Sequence, residues 1–170
     1  MPGEGVPPVR LQISATPAQV RTARLVAAAV ARRSGVAEES LDEIRLAVGE
    51  ACSRAVSLHR AYVPTELVTV LLNGDGRFVV SVCDQAPADA DDGPRRPLDQ
   101  MNTWDEFDRD GPMSAGLGLG VIDGLVDDLQ IAAGPDGRGT VVRMSWPLAG
   151  SGQPEESTGQ VASQPSSPVT

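Results

Sequence analysis

The chain of 170 residues contains no lysine, so all 14 of its basic residues are arginine. A phosphate-binding P-loop requires a lysine, and this class of nucleotide site is therefore excluded. The chain has one histidine and two cysteines, Cys52 and Cys83, which lack C-x-x-C spacing. This set does not favour a Cys/His zinc site, and both cysteines are predicted to be buried thiols.

Positive charge and long apolar runs are also scarce. The net charge of −9 argues against a nucleic-acid backbone as the main partner, because such a partner requires a basic face. No apolar run is long enough to span a membrane and no secretory signal opens the chain, so we expect a cytoplasmic protein without membrane contact. The hydrophobic content of 41% and the length suit one domain with its own core.

Apolar periodicity predicts the order strand, helix, helix, hairpin, irregular segment, helix and hairpin. Helices are predicted at 17–34, 40–59 and 117–126, with N-caps at Thr16 and Ser40, a capping box that pairs Ser40 with Glu43, and a stop at Gly35. Strands are predicted at 9–15, 67–72, 78–83, 129–133 and 140–146. His59 falls at a helix end, where it would complement the dipole. Helices on one face of a mostly antiparallel mixed sheet predict a two-layer α/β (α+β) sandwich.

Three stretches show no regular period. Residues 1–8 are predicted to form a flexible arm, and residues 149–170, which are poor in large apolar side chains, a disordered tail. The domain between them covers residues 9–148, and its irregular segment at 85–115 is predicted to be a lid. Trp104 and Phe107 in that segment would pin the lid to the body or anchor a partner.

A glycine-rich stretch, Ser114-Ala115-Gly116-Leu117-Gly118-Leu119-Gly120-Val121-Ile122, leads into the third predicted helix. Glycine allows close backbone approach, and a helix start offers free N–H groups and a positive dipole end, so the combination suits a phosphate cradle. The dinucleotide pattern G-x-G-x-x-G fails because Asp123 stands in place of the third glycine. A phosphate cradle and a plain turn into a helix both remain open for this stretch alone.

Four segments in combination are more specific than any one of them. They are Glu50-Ala51-Cys52-Ser53-Arg54-Ala55-Val56 on a helix, Val82-Cys83-Asp84-Gln85 at a strand end, Ala115-Gly116-Leu117-Gly118-Leu119-Gly120-Val121-Ile122 at a helix start, and Gly139-Thr140-Val141-Val142 at a strand start. In this order and spacing they resemble the four ATP-binding boxes of the Bergerat-fold, or histidine-kinase-like, ATPase superfamily. The resemblance covers residues 9–147. It is greatest to the anti-sigma-factor serine kinases of bacterial partner switching, and the all-arginine, alanine-rich composition suits an actinobacterial type.

The resemblance implies an ATP site with Mg²⁺. It implies that Asp84 accepts a hydrogen bond from the adenine amino group, that Thr140 supports Asp84, and that Glu50 is the catalytic general base. The residues implied to wrap the phosphates are Gly116, Leu117, Gly118, Leu119 and Gly120. The residues alone also allow Asp84 to cap a strand, Thr140 to pack in the last strand, and Glu50 to pair with Arg54 on a solvated face.

Two positions depart from the family pattern. The asparagine that ligates Mg²⁺ in the family is Arg54 here, and arginine has only donors, so it cannot ligate a cation. Arg54 could instead contact phosphate as part of the cofactor site, or neutralise Glu50. The family's aspartate-x-glycine-x-glycine is Asp84-Gln85-Ala86-Pro87-Ala88, whose alanines and proline restrict the adenine loop. Weakened or altered nucleotide binding is therefore expected, and enzyme activity is left open.

Three functions follow from the resemblance. The first is an anti-sigma-factor-like regulator that sequesters an RNA polymerase sigma factor, binds a small phosphorylatable anti-sigma-factor antagonist, or does both. The acidic charge suits a basic, promoter-binding partner. The alternatives are a Mg-ATP-dependent serine/threonine kinase acting on that antagonist, and a nucleotide-independent scaffold. Family members of this kind often dimerise through the N-terminal strand and helix, so a homodimer is a further expectation.

Overall fold

The computed structural model describes residues 7–87, residue 90 and residues 115–150, with the backbone alone for 115–118. Within these ranges the strands are β1 (Val9–Ile13), β2 (Val68–Asn73), β3 (Arg77–Cys83), β4 (Asp128–Ala133) and β5 (Thr140–Pro147). The helices are α1 (Pro17–Ser34), α2 (Leu41–Tyr62) and α3 (Ala115–Asp123), and a 3-10 turn, Glu38–Ser40, precedes α2. None of the helices in the described ranges is both long and apolar enough to cross a membrane.

Several predictions fall on residues outside the described ranges. They concern most of the arm at 1–8, most of the lid at 85–115 with Trp104 and Phe107, and the tail beyond residue 150. The division of the chain into arm, domain and tail therefore stays a prediction.

Helix α1 begins and ends where the sequence signals place it, whereas α2 runs three residues beyond its predicted end and α3 lies at 115–123 instead of 117–126. The predicted side-chain caps do not form. α1 follows Thr16 directly and ends at Gly35, whose φ of 88° suits glycine. Neither Thr16 nor Ser40 makes a side-chain cap hydrogen bond. Ser40 has helical dihedrals because the 3-10 turn already leads into α2, whereas a capping residue needs an extended backbone. The capping box predicted for Ser40 and Glu43 was wrong for this reason.

The sheet has the strand order β1-β2-β3-β5-β4, and all four pairings are antiparallel. The hairpin from β2 to β3 turns at Asn73-Gly74-Asp75-Gly76, where the Asp75 N–H donates to the Asn73 side chain at 3.1 Å. Alternate residues of the three central strands are buried against the helices: Val68, Val70, Leu72, Phe78, Val80, Val82, Val142, Met144 and Trp146. This shared core confirms the predicted two-layer α/β architecture.

Helix α2 is the central element of the helical layer, since it packs on α1, on α3 and on strands β2 and β3. Its apolar stripe is buried as the sequence predicts, and includes Leu41, Ile44, Val48, Cys52 and Ala55. Gly49 leaves room for the Arg24 side chain of α1, whose guanidinium a Cβ at this position would overlap. The position of α2 against β3 is what brings its C-terminal half to the site described next.

Candidate functional site

The sequence-predicted residues Arg54, Asp84 and Thr140 come together where the end of β3 meets the start of β5. The register of these strands pairs Cys83 with Val141, so Asp84 follows directly beside Thr140. Helix α2 packs on β3 and supplies Arg54. Residues from three distant parts of the chain therefore form one cluster beneath α2.

A buried ion pair joins Arg54 to Asp84. Arg54 Nη1 donates to Asp84 Oδ2 at 2.9 Å, and the two side chains are 3% and 2% exposed. The solvated face considered for Arg54 was wrong, because residues 84–87 and 90, which we call the loop after β3, cover this side of α2. A charge at this depth requires a charged and hydrogen-bonded partner, since desolvation is otherwise unfavourable.

The second carboxylate oxygen of Asp84 is held by the backbone. Oδ1 accepts the N–H of Ala86 at 3.1 Å and the N–H of Thr140 at 3.2 Å, and the Asp84 N–H donates to the Thr140 carbonyl at 3.0 Å. Thr140 thus reaches Asp84 through its main chain. A carboxylate offers about four lone-pair positions, and Asp84 already accepts three hydrogen bonds inside the protein.

The loop that begins at Asp84 is fixed at each of its first three residues. The Gln85 N–H donates to His59 Nε2 at 2.9 Å, and the Gly139 N–H donates to the Ala86 carbonyl at 2.7 Å. Gly139 has a φ of +70°, and a Cβ there would overlap the Asp84 carbonyl oxygen. The N–H groups of Asp84, Gln85 and Ala86 all have acceptors within the domain.

The sequence pattern assigns His59 to the helix dipole, but the structure makes it a buried member of the site. It is fully buried, and its Nδ1 lies 3.0 Å from the Glu66 carbonyl oxygen. A carbonyl only accepts and the Gln85 N–H only donates, so Nδ1 carries the proton and Nε2 is bare. His59 is thus neutral and joins α2 to the loop after β3. No local signal predicts this role, because Gln85 lies 26 residues away.

The two cysteines differ in their surroundings. Cys52 on α2 is fully buried, and this burial raises the pKa of its thiol to about 12. Cys83 at the end of β3 is only half-buried, against the prediction of a buried thiol, because it lies on the face of the sheet opposite the helices. Burial and the neighbouring Asp84 raise the pKa of Cys83. Both thiols are protonated near neutral pH.

The glycine stretch has a helical backbone. α3 spans Ala115–Asp123, so Gly116, Gly118 and Gly120 lie inside the helix, and the backbone is all that is described for Leu117. In a helix only the first-turn N–H groups stay available to a ligand. Leu119 packs against the core, and Ile122 is buried in it. The role of this stretch and of Leu119 in holding phosphate stays a prediction.

Comparison with known proteins identifies the architecture. The family model described as the histidine kinase-like ATPase domain matches residues 13–146, from the end of β1 to β5. Among solved structures, the crystal structure of the RsbU and RsbW domains of Rv1364c from Mycobacterium tuberculosis is similar, with a TM-score of 0.55 and 22% identity over 84% of this chain. The chain spans only 33% of the length of that protein. No curated protein matches the chain.

An ATPase domain implies nucleotide binding, so the site can be compared with what an adenine nucleotide and Mg²⁺ need. Among the described residues, Asp84 and Arg54 do not fit them. Asp84 is engaged by Arg54 and by two backbone N–H groups, and Arg54 offers no oxygen to a cation. In the part of the chain that the structure describes, no three His, Cys, Asp or Glu residues are grouped to hold a metal ion. The geometry is that of an internal structural cluster.

Proposed function

This chain belongs to the histidine kinase-like ATPase domain family, and we propose that it acts as an anti-sigma-factor-like regulator in a partner-switching system. In this role it binds a sigma factor of RNA polymerase, and a small phosphorylatable antagonist competes for it. The similar solved structure joins an RsbU and an RsbW domain, which supports a place in this kind of system. Binding, and not phosphoryl transfer, is the activity we assign.

The buried arginine at position 54 carries this proposal. Phosphoryl transfer depends mainly on positioning and on charge neutralisation by Mg²⁺. Arg54 has five N–H donors and no acceptor, so it cannot provide the oxygen ligand that a metal requires. Its guanidinium is also committed to Asp84 at 2.9 Å. Glu50, the implied general base, lies half-buried one helical turn before Arg54, and the metal ligand expected beside it is missing from that position.

The remainder of the domain keeps what a binding protein needs. The core that joins α1 and α2 to the sheet is continuous, so the surface of the helical layer is well supported. A folded scaffold of this kind can bind a protein without catalysing a reaction. The net charge of −9 complements a basic, promoter-binding partner, which favours fast encounter.

Binding and phosphorylation can be measured side by side on the full chain. Candidate sigma factors and antagonists from the same genome are immobilised, and association is followed by biolayer interferometry with an unrelated protein of similar acidic charge as control. We expect saturable binding whose association rate falls as NaCl is raised from about 50 to 300 mM. Radiolabelled ATP with Mg²⁺ should transfer no phosphate to the antagonist.

The two kinds of result separate the functions. If none of the tested sigma factors and antagonists binds the chain, the proposed regulator function is wrong. Mg²⁺-dependent phosphorylation of the antagonist by the natural protein would favour the kinase instead. Transfer that appears only in Arg54→Asn would identify this arginine as the change that separates the chain from active kinases.

A further inference from the structure

The carboxylate that would recognise adenine has a partner inside the protein. We propose that the Arg54 guanidinium permanently replaces adenine nucleotide at Asp84, so that the chain folds, and keeps the loop after β3 in place, without ATP or ADP. The statement about folding and nucleotide stands on the structure alone. Its corollary, that partner binding does not respond to ATP or ADP, rests on the proposed function.

The first argument is the set of partners that Asp84 already has, together with its burial. Adenine would have to donate its amino group to a carboxylate oxygen, yet Oδ2 is 2.9 Å from Arg54 Nη1 and Oδ1 accepts two backbone N–H groups. The Asp84 side chain is 2% exposed. About one lone-pair position of the carboxylate is left, but it belongs to a buried side chain, so a purine could reach it only by opening the packing around the charge-assisted bond to Arg54. Displacement would also leave Arg54 as a buried charge without this counter-ion, and that is the unfavourable case.

The second argument is independent of the ion pair and concerns packing. Leu58 of α2 forms a small apolar cluster with Ala86 and Ala90, and the Tyr62 hydroxyl donates to the Ala90 carbonyl at 3.4 Å. Ala86 is almost fully buried. The loop after β3 therefore packs directly on the C-terminal half of α2.

The third argument is the hydrogen bonding of the loop backbone. The Gln85 N–H donates to His59 and the Ala86 carbonyl accepts from Gly139, so these two backbone groups already have partners within the protein. An ion pair, a histidine hydrogen bond and an apolar cluster all join α2 to this loop. These contacts hold the loop against α2 without a nucleotide.

The direct test is calorimetric titration of the natural full-length chain with ADP and with ATP, with and without Mg²⁺, together with thermal unfolding. At about 5 mM, a nucleotide with a Kd of ~50 µM is at about 100-fold excess over its Kd and would raise Tm by several degrees. We expect no saturable heat and no change in Tm. Saturable binding of either nucleotide would overturn the proposal, and loss of that binding in Asp84→Asn would show that adenine is bound in the usual way.

A double-mutant cycle tests the ion pair itself. Arg54→Met and Asp84→Leu should each lower Tm by about 10 °C, because each breaks the buried ion pair, while the double variant should regain most of the loss. Arg143→Met is the matched control, since this arginine is exposed on the outer face of the sheet. Losses that simply add in the double variant would mean that the two residues do not stabilise each other, and would overturn the proposal.

The corollary is measured with a partner already shown to bind. Its Kd should stay within about twofold when ~5 mM ATP or ADP is added, and a tenfold change would overturn nucleotide independence. The titration and the double-mutant cycle need no partner. Failure to find a partner would therefore contradict the proposed function while leaving those two results to decide the role of Arg54.

Discussion

His59 Nε2 accepts the backbone N–H of Gln85 at 2.9 Å, which makes the one histidine of the chain a buried link between α2 and the loop after β3. The opposite ring nitrogen faces the Glu66 carbonyl at 3.0 Å. Both bonds require the neutral ring with its proton on Nδ1. In a protonated ring, the Nε2–H group of His59 would point at the backbone N–H of Gln85, and neither group could accept a hydrogen bond.

Replacement of His59 by alanine should destabilise the protein by about 2–4 kcal/mol, because the Gln85 N–H and the Glu66 carbonyl would each lose a partner at ~1–3 kcal/mol. Urea unfolding monitored by circular dichroism measures this loss. Arg60→Ala is the control, because Arg60 is next to His59 in the chain but has an exposed side chain. This change should alter stability by less than about 0.5 kcal/mol. Equal stability of the two variants would show that the histidine bonds contribute nothing.

Gly139 and Gly137 offer a matched pair for backbone strain. They have φ values of +70° and +69°, but only Gly139 faces the Asp84 carbonyl, while a Cβ at Gly137 would meet open space. Gly137→Ala should lower the free energy of unfolding by about 1 kcal/mol, because alanine is strained in the left-handed conformation. Gly139→Ala should lower it by about 1–3 kcal/mol more, because the added Cβ also overlaps the loop after β3. Chemical denaturation of the two variants compares them directly, and equal losses would argue against close contact between β5 and the loop.

The cysteines should react with thiol reagents at very different rates. Cys52 is inaccessible, and with a pKa of about 12 its thiolate fraction at pH 8 is only ~10⁻⁴. Cys83 is half-buried and should be alkylated first. Iodoacetamide labelling followed by peptide mass spectrometry resolves the two sites, and labelling in urea confirms that both can react. Equal rates in the native protein would contradict the burial of Cys52.

The same thiol predicts a loss of stability at alkaline pH. The pKa of Cys52 is raised from 9.0 to about 12 in the folded state, so the unfolded chain releases its proton first as the pH rises. The contribution of Cys52 is present below pH 9 and is lost progressively between pH 9 and about 12. Cys52→Ala should therefore lose less stability than the natural protein over that window. Parallel slopes of unfolding free energy against pH for the two proteins would contradict this expectation.

The order of the elements could be predicted because burial sets their periodicity. The alternation in β3 and the helical stripe from Leu41 to Ala55 both record contact with one shared core. Gly35 could be placed because a helix that ends in the left-handed region favours glycine. The cap at Ser40 could not, since the conformation of this residue depends on the 3-10 turn before it.

The site could be predicted only in part. The resemblance grouped Arg54, Asp84 and Thr140, and the structure brings them together. Arg54 lies away from the apolar stripe of its helix, so the sequence predicts that it is exposed to solvent. The sequence does not show that the loop after β3 returns to cover that side of the helix. The bond from Gln85 to His59 could not be predicted for the same reason, since the fold, and not the neighbouring chain, brings this partner to the histidine.

Helix α2 holds both the core and the two side chains that fix the loop after β3. Detachment of residues 84–87 would therefore break contacts with the helix on which the core of the domain is built. The buried ion pair also limits which substitutions the chain can tolerate at positions 54 and 84. A single change of Arg54 to asparagine would remove the cation that pairs with the buried Asp84, so such a variant is expected to be less stable unless position 84 changes as well.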